Sequence, residues 1–249
     1  MSTEHTAAPA IADMSEQMQI RLEKRAKLIE SGREAYPVGL LDSEGNRVEP
    51  NHIEDLRAEY DPKLAAEELK AGDETDRVVH VGGRVVFVRN TGKLCFATLQ
   101  GGTEGKRIQA MLSLAEVGEE SLSEWKSLVD LGDHVFVTGR VIVSRRGELS
   151  IMVTDWKMAS KALRPMPVLH KDLNEETRVR QRYLDLMVRE EARELVKKRA
   201  LITRTVRRVL EDHGYIEVET PTLTRSTPEG ARDFIVPARL SPGSWYALP

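Results

Sequence analysis

Between residues 78 and 158 the chain carries five short runs of strand-forming residues, and one helical segment falls between the third run and the fourth. The runs are VVHVGGRVVFVR, KLCFATLQ, RIQAMLSL, HVFVTGRVIVS and ELSIMVTDWKM. Apolar and β-branched residues alternating with period two predict strands, and the N-T-G and R-R-G triplets predict tight turns. The Gly82-Gly83 pair suits a bulge or bend inside the first strand. In the second strand Leu94, Phe96 and Thr98 share one face, and Cys95, Ala97 and Leu99 share the other. Residues 121–129 read as a short helix with Leu122, Trp125 and Leu128 on one side.

Three strands, a helix and two strands is the order of a five-stranded Greek-key barrel of the oligonucleotide-binding (OB) type. An SH3-like barrel needs no helix at that place. The barrel alone does not fix a function. Before it, residues 14–31 predict a helix with Met14, Met18, Leu22 and Ile29 at apolar positions, Ser15 as cap and Gly32 as stop. Its other face carries Arg21, Lys24, Arg25 and Lys27, which suits either a solvated surface or contact with phosphates. Residues 36–72 are turn-rich, with a short helix expected near residues 64–69. After the barrel, ALRPMP is a proline-punctuated exit. Helices are expected over residues 175–186 and 189–213. In the latter Ile202, Val206, Val209 and Leu210 form a stripe, Arg204, Arg207 and Arg208 face elsewhere, and Gly214 ends the run. YIEVE then alternates as a strand closed by Thr220 and Pro221. The fold class is α+β. Residues 1–72 form a disordered tail plus a helical segment, 73–161 the barrel, 162–188 a hinge, and 189–249 the start of a second domain.

The formal charge of −3 offers no global argument for nucleic-acid binding, so such a case rests on local basic patches. One cysteine, Cys95, excludes an internal disulfide framework and suits a reducing compartment. No apolar run approaches the roughly 18 residues of a membrane span. The opening MSTEHTAAPAIAD lacks the order of a secretory signal. A cytoplasmic protein is expected.

The order of parts resembles the class II aminoacyl-tRNA synthetases of the lysine, aspartate and asparagine subgroup. Up to about Pro221 the chain is similar to the bacterial lysyl-tRNA synthetases. The phrases that carry this are RNTGKLCFATLQ, RRGELSI, KALRPMPVLHKDLNEETRVRQRYLDL and the long helix ending in GYIEVETP. The resemblance implies a barrel face that reads anticodon bases. Phe96 would stack a central uracil, and Arg89, Gln109 and Glu148 would supply donors and acceptors to base edges. The alternatives are that Phe96 is a core aromatic and Glu148 an ordinary hairpin carboxylate. The stretch from Arg189 to Pro221 resembles motif 1 of the class and implies a homodimer interface. A plain amphipathic helix packed on its own sheet has the same apolar stripe, so periodicity does not separate the two.

After ETP the chain reads TLTRSTPEGARDFIVPARLSPGSWYALP, which resembles the bacterial aspartyl-tRNA synthetases instead. This implies a hybrid with its junction near Pro221. Glu229 would face the α-ammonium group of an amino acid, and Gly230 would let the loop swing. The arginines that bind ATP in this class belong to motifs 2 and 3, which are expected beyond Pro249. The chain alone is therefore expected to carry no catalytic residues, no metal site and no cofactor, whereas the family enzyme uses ATP and magnesium. The implied function is that of a lysine–tRNA ligase polypeptide, with tRNA of lysine-type anticodon and a second copy of the chain as partners, and no membrane. A non-catalytic tRNA-binding module and part of an aspartate–tRNA ligase are the alternatives.

Overall fold

In the computed structural model, which describes residues 15–41, 45–102, 104–169, 171–224 and 234–248, the five alternating runs close into a barrel. Its strands are β1 (Glu74–Thr91), β2 (Leu94–Gly101), β3 (Lys106–Ser113), β4 (His134–Val143) and β5 (Leu149–Ser160), hydrogen-bonded in the order β1-β2-β3-β5-β4. β1 spans 18 residues and serves two neighbours. Its first part pairs with β4 up to Arg84↔His134, and its second part pairs with β2 from Arg84↔Gln100 to Thr91↔Leu94. A parallel contact between β3 and β5, with Gln109 opposite Ser150, closes the cylinder. This is the expected OB arrangement, and α3 (Leu114–Val117) and α4 (Glu119–Leu128) fill the connection from β3 to β4.

The inward set on β2 is Cys95, Ala97 and Leu99, all buried, so alternation sends Phe96 to the outer face. Leu122, Trp125 and Leu128 bring one side of α4 into the same core, where Trp125 meets Trp156 edge to face at 5.1 Å between centroids. β4 approaches β5 closely at Gly139: a Cβ there would stand 2.1 Å from the Met152 carbonyl oxygen. No register shift falls at Gly82-Gly83, where a bulge was expected. Gly83 instead lets β1 approach Leu99, whose Cβ would lie 2.9 Å from an added methyl. The bulge in this part of β1 lies between Val85 and Phe87.

Two further helices precede the barrel. α1 (Glu16–Glu30) buries Leu28 and Arg21 and leaves Ile29 half exposed, so the basic side is partly the packed side. Arg21 donates to the carbonyls of Leu131 (2.8 Å) and Ala162 (3.0 Å), and Lys24 Nζ lies 2.6 Å from Asp130 Oδ1. These two cations hold the fold together. Met14 lies outside the described residues. The helix expected near residues 64–69 lies earlier, as α2 (Ile53–Ala65). Ile53, Leu56 and Tyr60 recur at helical spacing and are buried in the barrel's cluster, which outweighs the cost of Pro62 in the last turn. The residues from Glu67 onward leave the helix through a left-handed φ of 56°.

Beyond the barrel the single helix expected over 175–186 is two, α5 (Glu175–Arg180) and α6 (Arg182–Val188), broken where Gln181 leaves helical geometry at ψ 58°. α7 runs from Glu190 to Asp212. The chain divides into two compact units, Met1–Glu194 and Leu195–Pro249. In the second, Gly214 (φ +83°) ends α7, and Tyr215 N–H donates to Leu210 O at 3.1 Å. YIEVE is not a strand: no neighbour pairs with it among the described residues, and Ile216 is 86% exposed. Alternation predicts which face of a strand is apolar, but the strand itself needs a hydrogen-bonded partner. β6 (Phe234–Pro237) and β7 (Trp245–Leu248) form an antiparallel pair, to which Thr224 adds a bridge opposite Ala247.

Candidate nucleic-acid interface

The bulge in β1 makes the site. Up to Val85 the odd-numbered residues Val79, Val81 and Val85 point into the barrel. Val86, the extra residue, is buried as well, and from there the parity inverts: Val88 turns inward while Phe87 and Arg89 turn out. Arg89 then lies opposite Phe96, Phe87 opposite Thr98, and Thr98 opposite Gln109. One outer face therefore carries Phe87, Arg89, Phe96 and Gln109 on three adjacent strands.

All four residues expected from sequence to contact bases, Arg89, Phe96, Gln109 and Glu148, line one groove of about 920 Å³ on this face. Phe96 is not in the core. The Arg89 guanidinium carbon stands over the ring at 4.7 Å from its centroid, within cation–π range. Gln109 Oε1 accepts from Ser150 Oγ at 3.1 Å, which anchors the amide and leaves its NH₂ as a donor not used by this bond. Glu148 lies beside the Arg145–Gly147 turn and is anchored from another element. Arg57 of α2 donates to Glu148 Oε1 (3.0 Å), to the Arg107 carbonyl (2.8 Å) and to Asp61 (3.2 Å). The carboxylate is thus a positioned acceptor with its side chain half exposed, not a free hairpin charge.

Five arginines (Arg57, Arg89, Arg107, Arg145 and Arg146) and two carboxylates (Glu74 and Glu148) line the groove, in a chain of net charge −3. Among the described residues Arg89, Arg107, Arg145 and Arg146 form no ion pair, so their charge is available to an anion. Aromatic faces, an amide with both donor and acceptor, one oriented carboxylate and unpaired guanidinium groups are what unstacked bases on a phosphate backbone require. No group of three or more acidic, His or Cys side chains that could hold a metal stands among the described residues.

Sequence reasoning missed Phe87 and Arg57. Phe87 carries a signal only once the bulge is known, because simple alternation puts it inside. Arg57 lies in the stretch where no helix was expected, so nothing pointed it at the barrel. Glu229 and Gly230 lie outside the described residues.

Residues 79–159 match the family model of the OB-fold nucleic acid binding domain, and residues 174–249 match that of the class II tRNA synthetases (D, K and N). The lysine–tRNA ligase of Kineococcus radiotolerans is 53% identical over 224 residues, which is 90% of this chain and 42% of that protein. That of Mycolicibacterium gilvum is 52% identical over 225 residues, again 90% and 42%. The lysylphosphatidylglycerol biosynthesis bifunctional protein of Mycobacterium avium is 36% identical over 218 residues, covering 87% of this chain and 17% of its own length. The chain spans about 42% of the length of these two lysine–tRNA ligases.

Proposed function

Because this chain is a homologue of the lysine–tRNA ligases over nine-tenths of its length, we propose that its barrel reads a lysine-type anticodon and that its polypeptide serves the attachment of lysine to tRNA. The observation that carries the reading is the convergence of Arg89, Phe96, Gln109 and Glu148 on one arginine-rich groove. In this reading a central uracil stacks on the Phe96 ring. Arg89 donates to base or phosphate, Gln109 offers a donor and an acceptor to a base edge, and Glu148 accepts from an exocyclic or imino N–H. The unpaired arginines supply the sequence-independent attraction to the backbone.

ATP and magnesium belong to the proposed reaction of the whole enzyme. The described residues offer no acidic cluster for the ion, so no step of that chemistry is assigned to them. A homodimer formed through α7 is part of the proposal, and its support is that Ile202, Val206, Val209 and Leu210 stand exposed along that helix. Such a stripe costs solvation unless it is covered. A cytoplasmic location is proposed as well; no helix of the described residues is long and apolar enough to cross a membrane. The aspartate-type character of residues 222–249, with Glu229 toward an amino-acid ammonium group, remains part of the reading. The matching D, K and N model spans that junction and accommodates both types.

Binding of the full chain to tRNAs of lysine-type and aspartate-type anticodon tests the proposal. Tighter binding of the former is expected, and Phe96→Ala should cost about 1–3 kcal/mol, the range for one base on one aromatic. Equal affinity for both tRNAs, or unchanged affinity in a folded Phe96→Ala variant, would overturn it.

A further inference from the structure

Phe87 is 55% exposed, an unusual state for a phenylalanine in the middle of a strand, and the fold takes a specific step to put it there. Were Val86 to take its place in regular alternation instead of forming a bulge, Phe87 would continue the inward series of Val81 and Val85 and enter the core, where a large apolar side chain is stabilised. The bulge instead places it outside, lining the same groove as Phe96. The register fixes their relation. Arg89 is directly opposite Phe96, and Phe87 is two residues from Arg89 on the same face, so the two rings are diagonal neighbours. Diagonal positions on adjacent strands lie about 7–8 Å apart. Bases stacked on each other in a duplex lie about 3.4 Å apart along the strand. Two rings at the diagonal spacing suit two neighbouring bases splayed from each other, each on its own platform, with the Arg89 guanidinium beside them.

We infer that Phe87 is a second stacking platform, and that the groove holds two adjacent unpaired bases rather than one. The ligand class is single-stranded RNA, and the inference rests on the anticodon-reading proposal for the same groove. Phe87 adds affinity without choosing among bases, since every base has a π face. The selection of base identity stays with the hydrogen-bonding groups of Gln109 and Glu148. The second base would be held by stacking and by the free guanidinium groups at the groove's rim.

The test uses the full chain and a stem-loop RNA carrying the lysine-type anticodon, together with versions in which each anticodon nucleotide in turn is abasic. Phe87→Ala should weaken binding of the intact RNA about 5- to 150-fold, the loss of one base–aromatic stack. That loss should vanish on one abasic RNA, and a different abasic position should silence Phe96→Ala. Phe87→Leu keeps apolar bulk without a ring and should lose as much as Phe87→Ala, which guards against a folding artefact. If Phe87→Ala binds like the parent while Phe96→Ala is weakened, the second platform is refuted and the groove reading stands. If one abasic position silences both variants, a single base lies between the rings and the two-base inference is refuted. If neither variant is weakened, both readings fall.

Discussion

Lys161 is a fully buried cation, and its replacement measures how firmly the barrel is tied to what surrounds it. Its side chain and that of Asp133 are both fully buried. Lys161 Nζ lies 2.7 Å from Asp133 Oδ2, 2.6 Å from Asp130 Oδ2 and 2.7 Å from the Leu128 carbonyl, at the seam of α4, the turn before β4 and the barrel exit. Lys161→Met removes the charge and keeps most of the bulk. Breaking a buried pair costs about 3–5 kcal/mol because the remaining charge is left uncompensated. Here the loss is cushioned. Asp133 keeps the Asp130 and Ala162 backbone N–H groups at 2.7 and 2.8 Å, and Asp130 keeps Lys24. The expectation is therefore the lower end, about 3 kcal/mol, or a fall in Tm of about 6–12 °C for a unit of this size. Urea unfolding followed by the fluorescence of buried Trp125 and Trp156 reads it, with an unchanged m-value as the sign of a pure stability effect. Lys161→Met with Asp133→Asn should cost less than the two single changes added together, since the double variant leaves no unpaired carboxylate at 133. A single-variant loss under about 1 kcal/mol, or strict additivity, would refute the view that this ion cluster is a buried tie.

Two further outcomes are expected. Burial, and secondarily the Arg84 guanidinium beside it, push the His134 imidazole down to about 4. The folded state resists a proton that the unfolded chain accepts near pH 6.5, so this contribution is intact above that value and is lost as pH falls towards 4. Urea midpoints measured from pH 7.5 to 4.5 should decline, and His134→Gln should flatten the decline; an identical slope in the variant would remove His134 as its source. Arg57→Ala should change stability by less than about 1 kcal/mol, as for other partly exposed pairs, yet lower affinity for lysine-type tRNA as much as Glu148→Ala does. Unaltered affinity would mean that Glu148 needs no positioning by α2.

The barrel was legible in the sequence because its signals are local, whereas Arg89, Phe96, Gln109 and Glu148 were singled out by the family resemblance of the phrases around them. Alternation in KLCFATLQ separated Phe96 from Cys95, Ala97 and Leu99, and the closed barrel, which buries the latter three, is what turns Phe96 outward. The helix between the third and fourth strands named the topology. What escaped reading depended on events away from the residues concerned. The stretch of α2 reads as turn-rich, and packing of Ile53, Leu56 and Tyr60 on the barrel makes it one continuous helix with Pro62 in its last turn. The Gly-Gly pair advertised a bulge that the fold places at Val86 instead, and β-branched valines announce nothing of the kind. Arg21 and Lys24 read as surface charge because their carboxylate and carbonyl partners lie more than a hundred residues away. YIEVE has the pattern of a strand but no partner among the described residues to make it one.

The same distant pairings explain how an acidic chain presents a basic groove. Asp130 and Asp133 are committed to Lys24, Lys161 and Arg21, and Glu124 is committed to Arg33. Those charges cancel within the fold, away from the β1–β2–β3 face. On that face the bulge turns Arg89 outward, whereas an unbroken strand would aim it into an interior filled by valine, leucine and alanine. An unpaired guanidinium there would cost many kcal/mol, so taking up Val86 as a bulge relieves a conflict that regular alternation of the same sequence would impose. The relief and the site are one feature. The bulge that keeps Arg89 out of the core also sets it against Phe96 and sets Phe87 beside them. The division of labour then follows from chemistry: guanidinium groups without partners supply attraction that salt screens, and rings with an anchored amide and carboxylate supply discrimination that salt leaves largely intact.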